Sequence, residues 1–357
     1  MRPFVHELQS GRVVFGAGSL KSVPSEVARL GGRRVLLISD EFVKAVADEV
    51  ADGLGNHVIR RVSEVVQHVP VELADAVSSV ARSDRIDVVV CVGGGSATGL
   101  AKAVALRHDV RILAVPTTYA GSEMTPIWGL TAGAEKRTGR DARVLPRAVV
   151  YDPVLTYTMP ASLSAASGLN AMAHSVEALY AQDASPIVRL IAEESIRALA
   201  QALPRVVEQP DDPDARAEAL YGAWLAGTSL GNATMGLHHK ICHTLGGAYN
   251  LPHAAMHAAL LPYAAAFNRS AAPEAMGSLA RALRADDGPA GLWDLARRIG
   301  APTSLTDVGF DQAHVDDASA IIARANITTP RHADEVGIRR VLHAALDGSR
   351  PAPGIDL

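Results

Sequence analysis

Two cysteines in 357 residues are too few for a disulfide framework, and their settings agree: Cys91 lies inside an apolar run, Cys242 among histidines. A scaffold held by disulfides is excluded, and a reducing cytoplasm is the expected compartment. An excess of either charge is also lacking. Lys and Arg number 34 against 38 Asp and Glu, a net charge of -4, and the basic residues are scattered. That leaves no broad footprint for nucleic acid or an anionic membrane. No uninterrupted apolar run of about 20 residues spans a bilayer, and the opening "MRPFVHELQSGRVVFG" lacks the charged and apolar parts of a signal peptide. A soluble protein is expected. Neither an internal repeat nor a low-complexity tract is found.

What is present is enough apolar residue, 48% of the chain, for two domains with cores of their own. The pattern changes near residue 155. Before it, "RVLLISD" (34–40), "IDVVVCVGGGS" (86–96) and "VRILAVPTT" (110–118) alternate with helical stretches such as "PVELADAVSSVARSD". That βαβ rhythm predicts a parallel sheet over residues 1–155. "PIWGLTA" (126–132) and "RVLPRAVVYDP" (143–153) flank the charged segment "GAEKRTGRD" and suggest a hairpin at the sheet's edge. From 156 to 357 apolar residues recur at three- and four-residue spacings, as in "SPIVRLIAEESIRALAQALPRVVE" and "DEVGIRRVLHAAL". An all-helical domain is expected there, ending in an irregular tail, "GSRPAPGIDL".

"VVVCVGGGSATGLAK" carries the first chemical signal. An apolar strand runs into Gly93, Gly94 and Gly95, and Ser96 opens a helix. Glycines let backbone approach a phosphate, and free amides at a helix start attract its charge. The spacing is neither the Rossmann GxGxxG nor a Walker loop, since Lys102 lies too far along the helix. A ligand-free turn is the competing reading. "PTTYAGSE" (116–123) favours a ligand, because Thr117, Thr118 and Ser122 fall at the same end of a parallel sheet, where nucleotides dock. Asp40, ending "VLLISD", is placed to accept from an adenosine ribose and to repel a 2'-phosphate, which would favour NADH over NADPH. From spacing alone it is equally a cap for the next helix.

The second signal is "LHHKICHTLGGAYNLPHAAMH" (237–257), which holds five of the chain's 13 histidines. His239 and His243 stand one helical turn apart, as do Asn170 and His174 in "SGLNAMAHSVEALYA". Gly246 and Gly247 are expected to end the first of these helices, and His253 to open another. The HxxxH spacing matches a zinc protease helix, but Lys240 stands where that motif needs a glutamate base.

Together, "GGGS" followed by a helix lysine, "PTTYAGSE", the polar residue four before His174, and the His239, His243, His253 series resemble the iron-dependent alcohol dehydrogenase family. The resemblance covers nearly the whole chain from "VVFGAGSL" onward. It implies a dinucleotide-binding α/β domain, a helical catalytic domain and a homodimer. It further implies a divalent metal held by an Asp and three His, at positions 170, 174, 239 and 253, with His243 moving protons near the nicotinamide. Gly93 to Ser96, Thr117 and Thr118 match the family's cofactor contacts, and Lys136 its loop lysine. Two positions depart from the pattern: Gly99 and Asn170 each replace an aspartate.

A neutral amide at 170 stabilises a divalent cation much less than a carboxylate would, although three histidines alone suit zinc. The motifs are most similar to a branch of the family, active in aromatic-compound breakdown, that reduces the C=C bond of a six-carbon oxo-enedioate. That chemistry has less need of a Lewis acid: hydride adds at the far alkene carbon and charge moves to an enolate oxygen, which histidine donors serve. His243 and His253 are the expected acid/base residues, with Asn170, His174, His239 and Lys240 binding a dicarboxylate substrate. NADH is the expected hydride donor, NADPH an alternative, and no metal is expected. A metal-dependent alcohol dehydrogenase that tolerates Asn170, and a lyase resembling dehydroquinate synthase, remain open at this point.

Overall fold

The computed structural model describes residues 4, 6, 11–133 and 135–357, except the side chains of Glu135 and Lys136. Half of the opening segment considered above for a leader therefore lies outside the described residues. Two compact units emerge, the first ending at Thr158 and the second beginning at Met159, with His6 joined to the second through Ser185 Oγ, 3.2 Å from its Nδ1. Among the described residues no helix is long and apolar enough to cross a membrane.

The first unit is an α/β domain. Its strands are β1 (Arg12–Phe15), β2 (Val35–Ser39), β3 (Val58–Val62), β4 (Val88–Gly93), β5 (Arg111–Pro116), β6 (Ile127–Ala132), β7 (Glu135–Arg140) and β8 (Ala148–Tyr151). Six of them form one parallel sheet in the order β1-β8-β5-β4-β2-β3. Helices α1 (Val23–Arg29), α2 (Lys44–Leu54), α3 (Val71–Ser83) and α4 (Gly95–Arg107) are interleaved with the strands. β2 and β4 are buried at every position, as strands covered on both faces must be, which is why they appear in the sequence as unbroken apolar runs. β1 and β3 are the sheet's edges and are partly exposed, with Arg60 and Arg61 in the middle of β3, so no apolar run announces them.

The expected hairpin is corrected in its second arm. β6 pairs antiparallel with β7, the charged segment itself, from Ile127–Arg140 to Ala132–Glu135, and the two form a separate sheet. β8 instead lies in the parallel sheet between β1 and β5, because "AVVY" is buried throughout and needs cover on both faces.

The second unit is all helical: α5 (Ala161–Tyr180), α6 (Pro186–Glu208), α7 (Pro213–Asn232), α8 (Leu237–Tyr249), α9 (His253–Phe267), α10 (Pro273–Leu283), α11 (Gly288–Arg298), α12 (Val315–Ala323) and α13 (Glu335–Asp347). α5 is buried from Ser164 to its end and packs on α6, α7 and α9, which makes it the central helix of the bundle. α8 sets Leu237, Ile241, Cys242 and Leu245 into a core shared with α9, α12 and α13. Its length overturns one expectation: Gly246 and Gly247 do not stop the helix, which runs to Tyr249 and ends at Asn250 in the left-handed region (φ 52°). Gly246 serves packing instead, since a Cβ there would stand 3.3 Å from Met256 Cε of α9. His253 opens α9 as expected.

Candidate active site

In the α/β unit the site is made largely of backbone. β4 ends at Gly93 with φ 143°, a conformation L side chains rarely adopt, and a Cβ there would press on Ala97 Cβ at 3.1 Å and Asp40 Oδ2 at 3.2 Å. A Cβ on Gly94 would stand 3.1 Å from Thr118 Oγ1. Gly94 is the N-cap of α4 and has no side chain with which to cap it, an arrangement that suits an anion at the helix's first amides. Thr117 donates its N–H to the carbonyl of Gly93 at 3.1 Å, which ties the loop after β5 to the glycine loop. The chain leaves β2 outward to β3 and returns to β4 on the other side, so the carboxyl ends of β2 and β4 form a topological switch point, where open α/β sheets bind ligands.

Asp40 stands at that point. Its Oδ1 accepts from Val43 N at 3.2 Å, so it does cap the following turn, while Oδ2 faces Gly93. The structure therefore brings together Asp40, Gly93, Gly94, Gly95, Ser96, Thr117 and Thr118. Ser122 contributes differently: its carbonyl accepts from Lys102 Nζ at 2.6 Å. The side chain of Lys136, on β7, lies outside what is described.

Lys102 is a residue whose role sequence reasoning missed. It is buried, and Nζ also donates to the carbonyls of Thr125 and Ile127 at 2.8 and 2.7 Å, fixing the turn between β5 and β6. Burial pushes its ammonium down to about 7, with nearby Glu123 opposing the shift. Gly99 also has a local reason. A Cβ there would meet Val69 Cγ2 at 2.9 Å, and Val69 follows His68 with both residues at positive φ, 46° and 65°. That conformation is costly for a β-branched residue. Thr131 holds it by donating Oγ1–H to His68 O at 2.9 Å and N–H to Val69 O at 3.1 Å.

In the helical unit the site is made of side chains. Asn170, His174 and Glu177 follow one another along one face of α5 and are all buried. α8 contributes His239 and, one turn on, exposed His243, while α9 contributes half-buried His253. The His239 ring lies 5.1 Å from His174, 6.1 Å from His243 and 5.1 Å from His257, and His257 lies 4.4 Å from His253, centroid to centroid. The predicted histidines thus form one connected group. Lys240 is half-buried and follows His239 by about 100° around the helix, off the row that His239 and His243 share.

Three members were missed from sequence: Glu177, His238 and His257. Glu177 had a signal, since it is the single charged residue in a 20-residue helix that is otherwise neutral. Its carboxylate accepts from Gly236 N and His238 N, each at 2.8 Å, and lies 2.7 Å from His239 Nδ1. Burial, reinforced by neighbouring histidines, holds His174, His238 and His257 well below the ordinary imidazole range.

Two metal sites are conceivable here. At the first, Asn170 Oδ1, His174 Nδ1 and His239 Nε2 are buried without a hydrogen-bond partner among the described residues, but every donor of the set at 170, 174, 239 and 253 is neutral. The anionic ligand of the family pattern is missing, which weakens the hold of the set on a divalent metal, while its three histidines remain a donor set that suits zinc. At the second, His238, Cys242 and His257 bring ligand-type atoms within 4.8 Å of one another. There His238 Nε2 lies 3.0 Å from His257 Nδ1 and 3.8 Å from Cys242 Sγ, close enough either for hydrogen bonds within the trio or for a shared ion. Their outer nitrogens, His238 Nδ1 and His257 Nε2, have no partner of the kind that orients metal-binding imidazoles. Burial, with Glu177 nearby, also raises the Cys242 thiol well above its usual range.

Comparison with known proteins agrees with both halves. Residues 10–153 match the family described as iron-containing alcohol dehydrogenase, and residues 164–346 its C-terminal region. The chain is 49% identical over 348 residues to a maleylacetate reductase of Sphingobium indicum, covering 98% of this chain and 99% of that protein. It is 47% identical over 352 residues to a maleylacetate reductase of Burkholderia cepacia, covering 99% and 100%. The crystal structure of a maleylacetate reductase from Agrobacterium tumefaciens superposes with a TM-score of 0.95 at 45% identity, covering 98% of this chain and all of that one. With both halves matched over almost their full length, the chain belongs to the Fe-containing alcohol dehydrogenase family.

Proposed function

We propose that the chain reduces the C=C bond of maleylacetate to give 3-oxoadipate, with NADH as hydride donor. The observation that carries this reading is identity of 49% to a maleylacetate reductase over 98% of the chain. The chemistry of the site supports it. The glycine loop and uncapped start of α4 suit a pyrophosphate, and Asp40 at the end of β2 suits a ribose without a 2'-phosphate. Hydride from the nicotinamide adds to the alkene carbon remote from the ketone, the C=C electrons shift, and negative charge reaches the keto oxygen as an enolate. A proton then adds to the carbon beside the ketone, which completes the reduction.

A histidine donor stabilises the enolate and another delivers the proton, work that well-placed acid/base groups accelerate by roughly 100- to 10,000-fold. His243 and His253 take these roles because they are the accessible members of the group, whereas His174 and His239 are buried and shape the pocket. Asn170 and Lys240 supply amide and cationic donors for the substrate carboxylates. Lys136 serves the cofactor. The test is direct: purified protein with maleylacetate consumes NADH and forms 3-oxoadipate, followed by absorbance and mass spectrometry. Absence of that product, with alcohol oxidation appearing on addition of metal, would return the chain to the metal-dependent dehydrogenases.

A further inference from the structure

Glu177 stands where a buried carboxylate is costly unless every lone pair is used. Besides a long contact from Tyr180 Oη–H to Oε1 at 3.5 Å, it is used from three sides. Gly236 N and His238 N, at the start of α8, donate to Oε2 and Oε1, so a carboxylate from α5 caps a helix that has no cap of its own. Glycine at 236 makes the approach possible, since a Cβ there would lie 3.2 Å from Glu177 Oε1 and 2.7 Å from Thr328 O. The third partner is His239, with Nδ1 2.7 Å from Oε2. A carboxylate that already accepts two backbone N–H groups offers only lone pairs, so the shared proton belongs to His239 Nδ1. Nε2 is then bare. It is buried and has no hydrogen-bond partner among the described residues.

We infer that Glu177 is a positioning residue, which locks His239 in the tautomer protonated on Nδ1 and leaves its Nε2 as a hydrogen-bond acceptor rather than a donor. His239 therefore gives no hydrogen bond to the enolate or the substrate carboxylates, which are themselves acceptors, while His243, one turn along α8, is the member that gives one. Two features go with this assignment: the acceptor is aligned by the carboxylate that also fixes the helix carrying it, and Asn170 Oδ1 is a second buried acceptor without a partner. The inference rests on the reductase reading for its kinetic consequence only, since the tautomer is a property of the resting protein.

The experiment has an arm for each part. In uniformly 15N-histidine-labelled wild-type protein, with His239 assigned by a His239→Gln difference spectrum, Nε2 of His239 is expected in the unprotonated range and Nδ1 in the protonated range at neutral pH. Glu177→Gln, which places an amide N–H where a lone pair is needed, is expected to lose that pattern and lower kcat by roughly 10- to 100-fold, as outer partners of active-site imidazoles typically do. KM for maleylacetate and Kd for NADH should stay within about twofold, since no transition-state-only contact enters them. A protonated Nε2 in the wild type overturns the inference, whether or not the variant folds. So does a Glu177→Gln protein with a lower Tm but unchanged kcat and tautomer, which would reduce Glu177 to a cap. Failure to turn over maleylacetate with the expected tautomer present would count against the reductase reading alone.

Discussion

The two units build their sites from different materials. In the α/β unit the candidate binding groups are backbone amides at the end of β4 and the start of α4, and glycines matter there for what they leave out. In the helical unit they are side chains from α5, α8 and α9, held by burial and by a capping carboxylate. A backbone site recognises a group common to many ligands, such as a pyrophosphate, and gains little selectivity from side chains. A side-chain site carries the chemistry and the choice of substrate. Changes in the first unit should therefore move binding, and changes in the second should move turnover.

The largest expected effect tests that division at its sharpest. His243→Ala should lower kcat by about 100- to 10,000-fold, the usual contribution of a general acid or base, while the Kd for NADH from fluorescence titration stays near wild type. A variant that turns over normally, or one that loses NADH binding in proportion, would break the comparison.

Next comes a pH effect confined to the helical unit. His238 and His257, buried and hydrogen-bonded to each other, have folded-state values well below the ordinary imidazole value because burial disfavours their charged forms. Above pH ~6.5 both are neutral in folded and unfolded chains, so they add no pH dependence. Below it the unfolded chain takes up protons that the folded chain refuses, and unfolding free energy should fall by about 1.4 kcal/mol per pH unit for each histidine. Urea unfolding followed between pH 7.5 and 5.5 should show that decline, and His257→Asn should reduce its slope. An unchanged slope would mean the pair does not sense acid as a buried pair should.

The same contrast governs what was legible in the sequence. The sheet's central strands and the glycine loop show in the primary structure because a two-sided buried strand and a close phosphate approach leave local marks, "VVVCVGGGS" above all. β1 and β3 do not show, because edge strands need no apolar run, and β8 was misassigned because its partners lie far away in sequence. The helical group was half visible. Asn170, His174, His239 and His243 follow from one-turn spacing. Glu177 reaches them only through the tertiary contact between α5 and the start of α8, and the pairing of His238 with His257 exists only because α8 and α9 pack together. Gly246 illustrates the opposite error, a helix glycine that reads as a stop and is really a packing contact.

A smaller effect belongs to the α/β unit. Asp40→Ser should narrow the preference for NADH over NADPH by roughly five- to tenfold, on the order of the ~1 kcal/mol that two unit charges about 4 Å apart exchange in water. Serine is the informative choice, because its hydroxyl can still accept from Val43 N and keep the turn capped. Kinetics with both cofactors decide the matter. An unchanged ratio with intact folding would mean that Asp40 is a cap and nothing more.

The smallest expected effect is none at all, and it bears on the helical unit's departure from its family. Where an aspartate would supply the negative ligand, Asn170 supplies a neutral oxygen, and the nearest buried carboxylate, Glu177, is already engaged by two backbone amides and His239. A divalent cation placed among Asn170, His174, His239 and His253 would be stabilised by dipoles and lone pairs without a compensating charge. The conjugated substrate carries its developing charge to an enolate that histidine donors can serve. Exhaustive chelation should therefore leave maleylacetate turnover unchanged, and elemental analysis should find no stoichiometric iron or zinc. Asn170→Asp is the complementary arm: by restoring the anion it should raise affinity for zinc, measured by competition with a chromogenic chelator, in protein that otherwise folds as before. Activity lost on chelation and restored by one equivalent of metal would show that four neutral donors suffice, and that the substitution at 170 altered the site's charge without altering its occupant.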